Sequence, residues 1–167
     1  MASYNKGKKF VCNYLMETFN VGDKALDVGA CDGKWYKLLS PCFKMDAIEA
    51  FKPNILKHKL LQMYDNVYNV DVCDFDFENT NYDIIVMGDI LEHIETEKAQ
   101  ALVEKIYPKC KELLIAVPYK YKQEAIYDNP YEEHKQDDLT HELFMERYKG
   151  FKVLWQDKKY GYYIKAN

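Results

Sequence analysis

The chain has 167 residues, a formal net charge of −4, 48% hydrophobic residues and 30% charged residues. This length suits one domain with a single core, and the composition is globular rather than disordered. The negative charge argues against a nucleic-acid-binding protein and favours a small-molecule partner. No apolar run reaches the roughly 18 residues that span a bilayer, and the first ten residues lack the apolar stretch of a signal peptide. We therefore expect a cytoplasmic protein with no membrane segment.

The cysteines are odd in number and widely spaced, with no C-x-x-C pair and no matching group of histidines. This distribution fits neither a disulfide framework nor a zinc site. We expect reduced thiols, mainly in the core, and no metal site. The five cysteines are Cys12, Cys31, Cys42, Cys73 and Cys110.

The first half of the chain alternates predicted helices and strands. Residues 1–22 hold an opening helix with one apolar face, formed by Phe10, Val11, Tyr14, Leu15 and Phe19. Next come a short buried strand, a helix cut short by Pro41, a second strand, a helix opened by Pro53 and a third strand. These segments read, in order, "KALDVG", "KWYKLLSPC", "KMDAIEA", "PNILKHKLLQMY" and "VYNVDV".

The second half continues the alternation. "YDIIVMGD" is a continuous apolar run of the kind buried on both faces of a parallel sheet. The helix after it points Ala99, Leu102, Val103 and Ile106 inward, and "ELLIAVPY" is a fifth strand. A last helix, "ELFMERY", precedes two strands joined by a charged turn. The order predicts one α/β domain over residues 1–167, with a mostly parallel sheet and a C-terminal antiparallel strand pair.

Polar residues or glycines follow nearly every predicted strand. Ligands of parallel sheets bind where the strands end at their carboxyl edges, so these residues are the candidates for a site. They are Asp27, Gly29 and Gly33 after the first strand, Glu49 after the second, Asp71 after the third, and Gly88 and Asp89 after the fourth.

The turn "ALDVGACDGKW" is glycine-rich, as in many nucleotide sites, but it does not suit phosphates. A P-loop needs four residues between its glycines and a serine or threonine after its lysine, whereas here three intervene and a tryptophan follows. The dinucleotide fingerprint needs a glycine where Cys31 stands, and Asp27 and Asp32 would place negative charge beside a pyrophosphate. The turn better suits a cofactor with an ammonium, a sulfonium, a ribose and an adenine.

From "KALDVGACDG" to "ELLIAVPY" the chain resembles the class I S-adenosylmethionine-dependent methyltransferases. "LDVGACDG", "AIEA" and "NVDVCDFDF" are similar to the first three motifs of that family, and "YDIIVMGDILEHIE" is the most specific match. The resemblance implies a Rossmann-like seven-stranded sheet, S-adenosylmethionine as cofactor, and in-line methyl transfer to a small-molecule acceptor. It also implies that Glu49 binds the ribose hydroxyls and that Asp71 accepts from the adenine amino group. The implied cofactor-binding residues are Asp27, Gly29, Ala30, Gly33, Glu49, Ala50, Asp71, Val72 and Gly88.

Catalytic residues are not fixed by the sequence. A hydroxyl nucleophile usually needs a general base, and the candidates are His93, His134 and Asp89. Each candidate also has an ordinary structural interpretation, such as a turn, a helix cap or a packed histidine. Two other functions remain open: a nicotinamide-dependent oxidoreductase, and a catalytically silent cofactor-binding or scaffold protein.

Residues 119–141 carry charge and aromatic side chains without sustained apolar periodicity. An unpatterned connection of this length in a compact domain is usually disordered or functional, and its aromatic content favours a lid over the carboxyl edge. Its aromatic and apolar members are Tyr119, Tyr121, Ile126, Tyr127 and Tyr131. Within it, "DNPY" resembles the signature of methyltransferases that act on amino groups, but it follows the fifth strand rather than the fourth and is expected to be a turn.

Overall fold

The computed structural model describes residues 5–126 and 128–167. Their strands form one seven-stranded sheet in the order β3-β2-β1-β4-β5-β7-β6. Strands β1 to β5 are parallel, and β7 runs antiparallel to both β5 and β6. The predicted α/β sheet with a C-terminal antiparallel pair is confirmed. The strands are β1 (Asp23–Val28), β2 (Phe43–Ile48), β3 (Asn66–Tyr68), β4 (Tyr82–Gly88), β5 (Cys110–Pro118), β6 (Lys152–Gln156) and β7 (Tyr160–Ala166).

Helices cover both faces of the sheet. The described part of the chain contains α1 (Lys8–Thr18), α2 (Lys34–Leu39), α3 (Lys52–Lys57), α4 (Thr96–Ile106) and α5 (His141–Arg147). Short 3-10 turns lie at Leu60–Gln62, Leu91–His93, Tyr107–Lys109 and Pro130–Glu132. Among these described helices, none combines the length and the apolar character needed to cross a bilayer.

The strands supply two hydrophobic cores by turning alternate residues to opposite faces. In the central strand β4, Ile85 and Met87 enter the core under α4 and α5, whereas Ile84 and Val86 enter the core under α1, α2 and α3. All four side chains are fully buried. A strand buried on both faces needs a continuous apolar run, which explains the composition of this segment.

Helix α1 buries most of the predicted stripe: Val11 and Leu15 lie in the core, and Tyr14 and Phe19 pack against it. Lys8, Val11, Cys12 and Leu15 face the core, whereas Phe10 is 54% exposed, so its predicted place on the buried face is wrong. The spacing of three and four residues is still helical, but the buried stripe includes a lysine. The stem of Lys8 is buried and its Nζ lies 5.2 Å from the centroid of the Trp35 ring, a cation–π contact that a hydrophobicity pattern does not indicate.

The helix and the strand that follow β2 are both shorter than predicted. The predicted helix over residues 53–64 ends at Lys57, and Lys59 adopts a left-handed φ of +55° before the 3-10 turn that follows. This break turns Leu60 and Tyr64 into the core. Strand β3 ends at Tyr68, so Asp71 lies in the turn after the strand.

The cysteines of the described residues are all free thiols. Cys12 and Cys110 are buried, but Cys31 is exposed and the other two are half-buried. The expectation of reduced thiols agrees with the structure, and so does their mainly core location: Cys42 and Cys73 pack against the two cores, and only Cys31 departs from it. Cys31 is exposed because it belongs to the glycine-rich turn at the open edge of the sheet.

Candidate cofactor and active site

A cavity of about 950 Å³ opens at the carboxyl ends of β1, β2 and β4. This volume lies in the range of small-molecule and cofactor sites. Three of the residues predicted for the site, Asp27, Gly33 and His134, are not part of its lining. The predicted residues that do line it are Gly29, Ala30, Glu49, Ala50, Asp71, Val72, Gly88, Asp89 and His93.

The glycine-rich turn is fixed to the neighbouring strand. The amides of Gly29 and Ala30 donate to the carbonyl of Ile48 at 2.8 and 3.2 Å. Gly29 has φ +74°, and a Cβ there would lie 2.0 Å from Cδ1 of Ile90. Glycine is therefore required both by the backbone conformation and by close packing. Cys31 also adopts a left-handed φ of +47°, which is costly for a residue with a Cβ.

Glu49 lies directly after β2. It lines the cavity, and its carboxylate is hydrogen-bonded to the glycine-rich turn. Its Oε2 accepts from the amide of Cys31 at 2.7 Å, and its Oε1 accepts from the amide of Phe51 at 2.8 Å. Burial raises the pKa of Glu49, and the two amide donors oppose that shift. A carboxylate has about four acceptor positions, so these two bonds orient the group while leaving capacity for a ligand.

The turn after β3 completes this side of the cavity. Oδ1 of Asp71 accepts from the amide of Cys73 at 2.9 Å, which orients the carboxylate. The side-chain amide of Asn69 donates to the carbonyls of Glu49 and Ala50 at 2.8 and 3.0 Å. The ends of β2 and β3 are thus held together, and both contribute residues to the cavity wall.

Asp27 lies beneath the glycine-rich turn rather than in the cavity. Its side chain is fully buried, and its Oδ2 accepts from the hydroxyl of Tyr64 at 2.5 Å. Its Oδ1 has no hydrogen-bond partner within residues 5–126 and 128–167. Burial raises the pKa of Asp27 to about 7. These contacts give Asp27 a supporting position under the turn.

Gly88 and Asp89 form the sharp turn after β4. A Cβ at Gly88 would lie 2.1 Å from Nε1 of Trp35. Asp89 has a left-handed φ of +59°, and its carboxylate accepts a short hydrogen bond from the hydroxyl of Tyr160. Burial raises the pKa of Asp89, whereas Tyr160 and Lys8 act in the opposite direction. Asp89 therefore lines the cavity with its carboxylate held by Tyr160.

Part of the 119–141 segment lies against the cavity. Asp128 to Glu132 line it, and the "DNPY" stretch forms a turn in which Oδ1 of Asn129 accepts from the amide of Tyr131 at 3.1 Å. Tyr131 lines the cavity, whereas the hydroxyl of Tyr119 is hydrogen-bonded to that of Tyr163. Tyr127, predicted as part of the lid, lies outside the described residues.

The same segment is anchored to the turn after β4. The amides of Lys135 and Gln136 both donate to the carbonyl of Glu92, at 2.7 and 3.0 Å. The side-chain amide of Gln136 is buried and donates to the carbonyls of Leu91 and Ile94 at 2.8 and 2.9 Å. The segment is therefore held on both sides of Glu92.

These anchors bring together two predicted residues and one that sequence reasoning missed. The rings of His93 and His134 lie in an edge-to-face contact with centroids 4.6 Å apart. Glu92, which was not predicted, is buried beside them, and its Oε1 lies 4.0 Å from Nε2 of His93. The only sequence signal for Glu92 is its place in "LEHIE", beside a histidine in the turn after the most apolar strand.

No model of a known family matches the chain, and no curated protein matches it. Solved structures do match. A methyltransferase from Clostridium acetobutylicum ATCC 824 that depends on S-adenosylmethionine is 13% identical with a TM-score of 0.70, covering 93% of this chain and 88% of that one. The N-methyltransferase NodS from Bradyrhizobium japonicum WM9 is 11% identical with a TM-score of 0.65, covering 98% and 99%.

Magnesium protoporphyrin IX methyltransferase ChlM from Synechocystis PCC 6803, solved with bound S-adenosylmethionine, is 13% identical with a TM-score of 0.60. The match covers 95% of this chain and 77% of that one. At sequence identities this low, the structural matches show the fold alone. The chain has the fold of the class I S-adenosylmethionine-dependent methyltransferases, as its motifs predict.

Proposed function

We propose that this protein binds S-adenosylmethionine and transfers its methyl group to a small-molecule acceptor. The observation that carries the proposal is the position of Glu49, an oriented carboxylate at the carboxyl end of β2, beside the glycine-rich turn and facing a cavity of about 950 Å³. In a methyltransferase fold this is where a ribose with two hydroxyl donors would be held. The neighbour ChlM, solved with bound S-adenosylmethionine, supports the same cofactor.

The cavity walls suit the separate parts of that cofactor. Glu49 would accept from the ribose hydroxyls, and Asp71 would accept from the adenine amino group beside Val72. Gly29 and Ala30 would lie along the methionine portion, where a cation rather than a phosphate fits the local carboxylates. Asp27 would act indirectly by supporting the turn.

Methyl transfer is an in-line displacement, for which the sulfonium supplies an intrinsically reactive methyl group when the cofactor is bound. The chain's contribution is then to position the acceptor and to exclude water. Residues 128–132, which line the cavity, would do both. The candidates for general base that line the cavity are Asp89 and His93, which follow β4.

Calorimetric titration with S-adenosylmethionine, S-adenosylhomocysteine and NAD tests the proposal. We expect both sulfur compounds to bind one per chain and NAD to bind far more weakly, because acidic groups line the site. Binding of NAD without S-adenosylhomocysteine would indicate the oxidoreductase instead.

A second measurement tests catalysis. We expect release of S-adenosylhomocysteine when the enzyme is mixed with S-adenosylmethionine and a panel of hydroxylated and amine-bearing small molecules. Tight cofactor binding with no release above the buffer rate across the panel would favour a silent binding protein.

A further inference from the structure

Three side chains that could bind a metal ion converge beside the cavity. One ligand atom from each of Glu92, His93 and His134 can be chosen so that all three lie within 4.8 Å of one another. Glu92 and His93 follow β4 in a 3-10 turn, whereas His134 comes from the 119–141 segment. The segment is held against the 3-10 turn because two of its amides donate to the carbonyl of Glu92.

Glu92 is the most informative member of this cluster. It is 1% exposed, and neither of its carboxylate oxygens has a hydrogen-bond partner in the described ranges. A buried carboxylate normally has a cation or several donors, because burying it alone is costly. Nε2 of His93, 4.0 Å from Oε1 of Glu92, is a positive partner only when that ring is protonated, and a bound cation would supply a permanent one.

The histidines present their lone pairs to the same place. Nδ1 of His134 lies 2.7 Å from the carbonyl of Tyr121, and Nδ1 of His93 lies 3.2 Å from the carbonyl of Glu133. A carbonyl can only accept, so each Nδ1 carries the proton and each Nε2 is left as an acceptor. Nε2 of His134 is buried and, among the residues that the structure describes, has no hydrogen-bond partner. A histidine fixed to a carbonyl through its other nitrogen is the usual arrangement of a metal ligand.

We propose that Glu92, His93 and His134 bind a divalent transition-metal ion at the edge of the cofactor cavity. Two imidazoles and one carboxylate suit Zn²⁺, Fe²⁺, Co²⁺ or Mn²⁺ better than Mg²⁺ or Ca²⁺, which favour all-oxygen sites. With metal–ligand bonds of about 2.0–2.2 Å at tetrahedral angles, ligand atoms lie about 3.3–3.6 Å apart. Because the three atoms now lie within 4.8 Å of one another, they need to approach by at most about 1.5 Å, which side-chain rotations provide.

The position of the ion gives it a role in the proposed methyl transfer, and this part rests on the proposed function. Three protein ligands leave coordination positions open, and Glu92 and His93 line the cavity where an acceptor would lie. A hydroxyl bound to the ion loses its proton to solvent more readily, as metal-bound water does. Its oxygen then forms a bond to the methyl carbon, while the carbon–sulfur bond breaks and its electron pair returns to sulfur. The site thus favours hydroxylated acceptors.

Titration of the metal-free protein with Co²⁺ and Zn²⁺ tests the site. We expect one ion per chain by calorimetry, with visible absorption from bound Co²⁺. Glu92→Gln and His134→Gln should each weaken binding at least about 100-fold, because each removes a direct ligand. His58→Gln is the matched control: His58 also lines the cavity but is outside the cluster, so binding should not change.

Thermal unfolding provides a readout that does not depend on activity. Saturating Zn²⁺ should raise the Tm of the wild type by mass action and leave that of Glu92→Gln unchanged. Circular dichroism would show that both variants fold. Absence of one-to-one Co²⁺ binding, or equal affinity in the wild type and both variants, would overturn the metal site.

Two further measurements separate this inference from the proposed function. Acetohydroxamate, a small bidentate oxygen ligand, should change the absorption of bound Co²⁺ if open positions face the cavity, and an unchanged spectrum would rule out the acceptor-binding role. Titration of the same metal-free samples with S-adenosylhomocysteine reports on the cofactor site alone. Cofactor binding without metal binding would overturn only the metal site, and the reverse would overturn only the cofactor proposal.

Discussion

At the scale of single residues, two carboxylates near the ends of neighbouring strands have different environments. Glu49 accepts two backbone amides and faces the cavity, whereas Asp27 is fully buried and bonded to Tyr64. Both are acidic residues beside the glycine-rich turn, so the sequence predicts a cofactor contact for each. The difference arises because β1 is covered on both faces, and only the residues beyond its end reach the open edge.

Replacing Glu49 should weaken cofactor binding. Glu49→Ala is expected to lower the affinity for S-adenosylhomocysteine by about 1.5–3 kcal/mol, the usual contribution of hydrogen bonds to a charged acceptor. Calorimetry measures the change. Asp46→Ala is the matched control, because Asp46 also lies on β2 and anchors other side chains, Asn66 and Tyr82, but is not part of the cavity. Equal losses in both variants would point to a general effect on the fold.

Asp71 should select adenine over hypoxanthine. The inosine analogue of S-adenosylhomocysteine carries a carbonyl where adenine has an amino group, so two acceptors would face each other. We expect it to bind more weakly than the parent compound by about 1.5–3 kcal/mol in competition experiments with the wild-type protein. Equal binding of the two compounds would remove Asp71 from this role.

Asp27 should make the protein less stable as the pH rises. Its pKa is raised from 3.8 to about 7 by burial, so the native state holds this proton through a range in which the unfolded chain has lost it. Stability therefore falls between pH 4 and pH 7, with a slope of up to about 1.4 kcal/mol per pH unit for one group.

The comparison of Asp27→Asn with the wild type isolates this effect. The variant has no such titration, so its free energy of unfolding relative to the wild type should increase from pH 4 to pH 7 and then level off. Urea denaturation at several pH values gives the difference. A difference that does not depend on pH would show that Asp27 is ionised in the native state.

At the scale of elements, regular apolar patterns predicted which residues are buried better than they predicted where each element ends. Helix α4 buries Ala99, Leu102, Val103 and Ile106, the four residues that its spacing indicates. The stripe of α1 departs from its pattern at Phe10, which is exposed, and at Lys8, which is buried and contacts Trp35, a residue of another helix. The break at Lys59 likewise depends on tertiary burial of Leu60 and Tyr64. Local patterns cannot show which distant side chain will provide such a partner.

The 119–141 segment should respond to cofactor binding where it borders the cavity. We expect S-adenosylhomocysteine to slow amide hydrogen exchange in residues 128–132, because these residues line the cavity and their amides would be shielded. The charged turn at residues 157–159, which lies outside the cavity lining, is the internal control. Mass spectrometry of exchanged peptides measures both regions. If exchange in residues 128–132 is unchanged at saturating S-adenosylhomocysteine, the segment is an ordinary surface loop and does not cover the cofactor.

At the scale of the whole molecule, the topology explains why the main cavity could be predicted and the metal cluster could not. Strands β1, β2 and β4 are neighbours in a parallel sheet, so the residues that follow them meet at one edge. That rule alone predicts that Glu49, Gly29 and Asp89 lie together. His134 comes from a segment without periodicity, and the amides of its neighbours Lys135 and Gln136, which donate to the carbonyl of Glu92, bring it to that residue.

The place of β7 between β5 and β6 has a consequence for folding kinetics. Until β7 inserts, β5 has an unpaired edge along Leu113 to Val117, a stretch that is fully buried in the native protein. Pairings such as Ala25 with Ile84 also close long loops, and such topologies fold slowly, in milliseconds to seconds. A partly folded chain would therefore expose an apolar strand edge for an appreciable time. We expect the refolding yield to fall as protein concentration rises, because β5 of one chain can pair with another chain before its own β7 arrives.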